Sequence, residues 1–160
     1  MTQSIYLKRS AVAGKVPLLT DLAMGEVALN TLDGAIYMRK TVNGTDTIVN
    51  PMTMLNQNSQ SANYTTIATD AAKQILHPVA DTAARTFTID SNANVPYQIG
   101  TIISFVNQNG AGVVTIAINS DVMRWLPSGT TGSRTLAANG QATALKITAT
   151  EWQITGTGIS

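Results

Sequence analysis

The sequence predicts an all-β protein, and three observations lead there. Apolar and polar residues alternate in short runs along most of the chain. Asn-Gly and Asp-Gly pairs punctuate those runs at 33–34, 43–44, 109–110 and 139–140, and such pairs tolerate the positive φ of tight turns. No segment repeats its apolar residues at helical spacing for the length of an amphipathic helix. The expected architecture is an N-terminal β-hairpin module followed by a C-terminal antiparallel β-sandwich or barrel.

The elements follow in order. Residues 1–49 form the hairpin module. Ile5 and Leu7 alternate with Tyr6 and Lys8, which reads as a strand. A helical turn is expected over Thr20–Gly25, with Thr20 as cap and Gly25 as stop. Val27 and Leu29 share one strand face, Ile36 and Met38 share the next, and Asp33-Gly34 lies between them. Asn43-Gly44 repeats the device between Tyr37–Thr41 and Asp46–Val49.

Residues 50–64 carry no charge and little periodicity. They read as a linker or as an arm ordered against a partner subunit. Residues 65–160 form the main domain. Thr69–His77 reads as a short helix capped by Thr69 or as a strand through Ile75-Leu76, with Pro78 closing it. Clear strands follow at Phe87 and Ile89, at Ile103 and Phe105, at Val114, Ile116 and Ile118, at Thr143, Leu145 and Ile147, and at Trp152 and Ile154. Asn109–Gly112 and Asn139-Gly140 read as turns, and Asp121–Ser133 as a long loop.

Composition narrows the function. Hydrophobic residues reach 44% and charged residues only 12%, which suits a folded chain rather than a disordered one. A net charge of +1 gives no basic surplus for gripping nucleic acid. Cysteine is absent, so neither disulfides nor thiol chemistry enter. No apolar run approaches the ~20 residues that span a bilayer, and no apolar stretch follows the first basic residues as in a secretory signal. Synthesis in a cytoplasm without membrane insertion is the expectation.

Catalytic groups are sparse. General acid–base chemistry needs titratable groups held together. The single histidine, His77, precedes Pro78 and reads as a structural residue. The nine acidic residues are scattered, with no local carboxylate pair of the kind glycosidases use and no metal-ligand spacing. No phosphate-binding glycine loop appears between a strand and a helix. The sequence therefore points to a non-enzymatic protein with no cofactor and no metal. The region around Arg124 and Trp125 is the candidate binding loop, since a tryptophan offers a flat face for a sugar or a buried anchor; covering a core edge is the alternative role of Trp125.

Two stretches resemble known families. The spaced elements K-R-S-x-x-x-G-K-x-P (Lys8 to Pro17), L-x-x-G-E-x-A-x-N (Leu22 to Asn30) and D-G-x-x-Y (Asp33 to Tyr37) resemble the N-terminal module of tail-fibre and related virion proteins of tailed bacteriophages. His77–Ile89, Gly100–Gln108, Gly132–Leu136 and Thr150–Trp152 are similar to a C-terminal β domain of phage fibre-like and structural proteins. The resemblance implies a virion protein, assembled on the particle as a homotrimer and in contact with other virion proteins of tail, baseplate or capsid. It carries over no catalytic residue. Docking on the particle falls to Ile5, Tyr6, Leu7, Lys8 and Arg9, and to Glu26, Tyr37, Arg39 and Lys40 of the hairpin, with Arg39 and Lys40 as rim charges. Arg124 and Trp125 are the expected contact with a host surface glycan or protein. Long adsorption fibres carry a repetitive shaft between anchor and tip, and this chain shows no internal repeat. A short fibre, a baseplate or tail spike, or a capsid-decorating or head-fibre protein fits the length better, and a glycan-processing spike is the remote third reading.

Overall fold

A computed structural model of the chain describes residues 7–108 and 110–160. It is nearly all β and divides into a first unit ending at Met54 and a second, Leu55–Ser160. Ile5 and Tyr6 lie outside the described residues.

The first unit is a four-stranded sheet in the order β1-β2-β3-β4. β1 (Lys8–Ser10) runs parallel to β2 (Val27–Asn30), and β3 (Ala35–Val42) and β4 (Thr45–Val49) follow antiparallel. Leu29 pairs with Ile36 and Val27 with Met38, the facing that alternation predicts. Asn43 and Gly44 take φ of 49° and 78°, the left-handed pair a two-residue hairpin loop requires. The helical turn is a 3-10 turn at Leu19–Asp21, earlier than predicted. Asp21 Oδ2 accepts the Leu18 N–H at 2.8 Å, so an aspartate closes the turn and Thr20 does not cap it.

The second unit winds. Its first six strands are β5 (Asn56–Ser59), β6 (Tyr64–Thr65), β7 (Lys73–His77), β8 (Arg85–Ile89), β9 (Ile102–Asn107) and β10 (Val114–Ile118). β5-β7-β9 pair in parallel, and so do β6-β8-β10. The chain thus alternates between two flanks, and each coil lays its strands beside those of the coil before. The long β12 (Arg134–Lys146) joins the flanks. Its start runs antiparallel to β10 and its second half antiparallel to β9. β13 (Glu151–Ile159) returns along β12, and β11 (Val122–Trp125) adds to β13 in parallel. Both flanks turn apolar side chains into one core, with Ile75, Ile103 and Phe105 from one side and Phe87, Val114 and Ile116 from the other.

The expected antiparallel arrangement is therefore corrected to a mixed one. Alternation locates a strand but not its partner. From β5 to β10 consecutive strands go to opposite flanks, so β5, β6, β7 and β8 each pair with the next strand but one. Asn139-Gly140 is not a turn but an irregularity inside β12, where the register with β13 shifts between Leu136 and Gln141. Asn139 has φ 62°, a conformation that a turn and a bulge both use. Arg124 and Trp125 stand in strand β11 rather than in a loop. Within the segment read as linker or arm, β5 and β6 are edge strands of the second unit. In Thr69–His77 the strand reading holds as β7, whereas the helix capped by Thr69 is replaced by a 3-10 turn at Ala68–Asp70 that contains Thr69 and is closed by Asp70 Oδ2 accepting the Ile67 N–H.

A buried polar network ties β7 to the approach of β8. Asn107 donates from Nδ2 to the carbonyls of Gly112 (2.9 Å) and Leu136 (3.0 Å). Its Oδ1 therefore faces Nδ1 of the fully buried His77 at 3.0 Å, and that ring nitrogen is the donor. His77 Nε2 lies 3.1 Å from Asp81 Oδ2. Asp81 also accepts from Arg85 Nε at 2.7 Å and NH2 at 3.0 Å. The Arg85 hydrogen bonds hold the Asp81 carboxyl well below its usual range. A carboxyl depressed in the folded state stabilises the fold fully above its unfolded value near ~3.9, and that stabilisation is lost as pH falls below it. Melting temperature should accordingly hold near neutrality and fall below about pH 4. In Asp81→Asn the acid limb should be shallower, and an unchanged slope in melts from pH 7 to pH 3 would contradict this role.

Candidate functional site

The sequence motif of the first unit assembles one cradle, and much of the motif is structural. Asn30 is almost fully buried. It donates to the carbonyls of Val12 (2.9 Å) and Lys15 (3.2 Å) and to Asp33 Oδ2 (2.7 Å), while its Oδ1 accepts from the backbone of Leu32 and Asp33. Asp33 Oδ2 also takes the Gly14 N–H at 2.7 Å. The G-K-x-P loop, the asparagine ending G-E-x-A-x-N and the aspartate of D-G-x-x-Y are thus bonded to one another. Glu26 accepts the Ala23 N–H at 2.8 Å and Lys8 Nζ at 2.9 Å. Lys8 chiefly, and Ala23 next, hold the Glu26 carboxyl below its ordinary value.

What these bonds leave is a concavity of about 520 Å3. Its floor includes Leu22, Ala28 and Leu29, and Lys8, Arg9, Lys15 and Tyr37 line it. Lys8 is balanced by Glu26. Among the described residues, Arg9 and Lys15 have no carboxylate partner. Asp21, whose Oδ2 accepts the Leu18 N–H, lines the site too, so an apolar floor lies beneath two cations outside ion-pair range, one carboxylate and a phenol. Of the residues predicted to dock, Lys8, Arg9 and Tyr37 meet here, Glu26 holds Lys8, and the exposed Leu7 directly precedes β1. Lys15 completes the set, and its G-K-x-P context was the signal for it.

Arg39 is placed differently from a rim charge. Its guanidinium pairs with Asp46 across β3 and β4, and NH1 donates to the carbonyls of Leu22 (3.0 Å) and Leu19 (3.3 Å). It fastens the 3-10 turn to the sheet. Thr41 first and Arg39 second keep the Asp46 carboxyl below its usual range. Lys40 is exposed and, among the described residues, has no carboxylate partner.

In the second unit Arg124 pairs with Glu151 at 2.7 Å and donates from NH1 to Gly129 O at 2.9 Å. Trp125 is half-buried against the core, and the guanidinium of Arg134 lies 5.3 Å from its ring centroid. Arg134 donates to Thr130 Oγ1 at 2.9 Å. No local spacing marks Arg134 in the sequence, because it reaches the Trp125 ring from the start of β12, where its strand partner is Ile116 of β10.

For chemistry, the arrangement offers little. His77 is enclosed by Asn107 and Asp81 and has no exposed nitrogen to present. Among the described residues no three His, Cys, Asp or Glu side chains are grouped to hold a metal ion. No protein-family model matches the chain, and no curated protein matches it.

Proposed function

We propose that the protein is a non-enzymatic structural protein of a bacteriophage particle, a short fibre or spike-type appendage of tail or baseplate. Its first unit docks on other virion proteins, and copies associate as a homotrimer. The observation that carries this reading is the cradle. Three motif elements spaced along the chain converge there, and Arg9 and Lys15, which have no carboxylate partner among the described residues, stand with Asp21 beside an apolar floor. Residues that merely stabilised a hairpin would have no need to gather unpaired cations around a concavity. Contact with a host surface, if the appendage makes one, belongs to the second unit near Arg124 and Trp125. Head decoration is the second reading. It is favoured by the direct succession of the two units at Met54 and Leu55, with no shaft between them.

Mass spectrometry and immunogold electron microscopy of gradient-purified particles from producing cells test the proposal. Label at the tail supports the appendage, label spread over the head supports decoration, and absence from the particles sinks both. Arg9→Glu combined with Lys15→Glu should reduce incorporation about tenfold or more, the factor that 1.4 kcal/mol represents, with an unchanged circular dichroism spectrum. Undiminished incorporation would remove the cradle from docking.

A further inference from the structure

The outer face of β9, β12 and β13 is uncharged over nearly its whole extent. Ala142, Ala144 and Lys146 of β12 are buried, so Gln141, Thr143 and Leu145 point outward. Register sets Thr143 beside Ser104 and Thr155, and Leu145 beside Ile102 and Gln153. The exception is Glu151, at the first position of β13, which Arg124 neutralises. β5 and β7 extend the face by two further strands, again without an outward charge.

The face is also apolar at one end and hollowed beside it. Ile102 is 43% exposed and Leu145 36%. Ile99, 67% exposed, stands in the loop that the Gly100 N–H pins to Lys146 O at 2.8 Å. Next to this patch lies a trough of about 410 Å3 floored by Gln141, Thr143 and Thr155.

We propose that this face is where copies of the chain meet, which rests on the self-association in the proposed function. Two properties select a second copy as the occupant. A surface without charge presents nothing to an acidic, basic or nucleic-acid partner, whereas its own kind brings no charge to be stranded in the contact. The extent also suffices. Five strands ~4.8 Å apart and about 20 Å long make roughly 500 Å2 in plan, close to what each side contributes to an interface of about 1,000 Å2 in total. The outer face of the other flank is uncharged too, but Thr86, Thr88 and Thr115 cover it, and its exposed apolar surface is Val113 just before β10 rather than a cluster such as Ile99, Ile102 and Leu145.

Analytical ultracentrifugation of the full chain at about 10 μM, a concentration that populates complexes of micromolar affinity, tests the assignment. The wild type should sediment as a multiple of 16.8 kDa. Leu145→Glu, and separately Thr155→Glu, should weaken association at least about a hundredfold by stranding a charge in the contact, leaving a single chain with an unchanged melt. Thr115→Glu should keep the wild-type mass. Persistence of the multiple in both face variants, or dissociation by Thr115→Glu alone, overturns the choice of face and leaves self-association standing. A wild type at 16.8 kDa overturns self-association itself and leaves the docking cradle untouched.

Discussion

Trp152→Ala should destabilise the second unit by about 3–5 kcal/mol, the range for emptying a large aromatic site, and lower its melting temperature by on the order of 10–20 °C. Trp152 is fully buried on β13. Its ring meets Tyr97 edge-on at 5.5 Å between centroids. The ammonium of the buried Lys146 lies 5.5 Å from the same ring and donates to Asn92 Oδ1 at 2.6 Å. Burial lowers the Lys146 pKa and the nearby Asp121 charge opposes that shift, so this cation relies on that carboxylate together with the ring and the amide to offset lost hydration. Truncation to alanine removes the ring and opens a cavity at once. Trp152→Phe separates the contributions. The indole Nε1 is buried with no partner among the described residues, and an unpaired buried donor is itself unfavourable. The phenylalanine variant keeps an aromatic ring, loses no hydrogen bond and should cost well under half as much. Equal losses in the two variants, read from thermal melts, would show that the indole nitrogen contributes to stability after all.

The fold was legible where the deciding interactions are local. The β2–β3–β4 hairpins follow from alternation plus Asp33-Gly34 and Asn43-Gly44, because a tight turn fixes both partner and register. In the second unit the strands were readable one by one, but their pairing was not. Phe87 sits beside Tyr64 and Ile116, partners that alternation cannot name. β5 escaped notice because Asn56-Gln57-Asn58-Ser59 has no apolar face. Its inward residue, Asn58, meets the carboxylate of Asp70 instead of a hydrocarbon core. Asn139-Gly140 misled because positive φ marks a bulge as well as a turn. The candidate docking site was partly legible through the order of its motif elements. Arg39 looked like its neighbour Lys40 in sequence, and only the partner Asp46 on β4 separates an internal fastener from a free charge.

Asp70→Ala should cost about 3 kcal/mol, the low end of about 1–3 kcal/mol for each of three donors that lose their acceptor, because these donors are only partly buried. The carboxylate is fully buried. It accepts from Tyr64 Oη at 2.6 Å, from Asn58 Nδ2 at 2.9 Å and from the Ile67 N–H at 2.9 Å, with Lys73 Nζ 3.8 Å away. Those donors belong to β5, β6 and the turn before β7, so one side chain closes the first coil. Burial, with Asp70 second, pushes the Tyr64 hydroxyl up to about 12; it stays protonated and remains a donor throughout the physiological range. Asp70→Asn keeps an acceptor oxygen and should fall between wild type and alanine. Hydrogen exchange locates the damage. Amides of β5 and β6 should lose protection first, while those of β9, β12 and β13 follow the global stability. Because β5 forms one margin of the uncharged face, Asp70→Ala should also weaken self-association, though less than Leu145→Glu at its apolar end. Uniform loss of protection would mean that the first coil does not open separately, and an alanine variant within about 0.5 kcal/mol of wild type would show that Asp70 does not hold it.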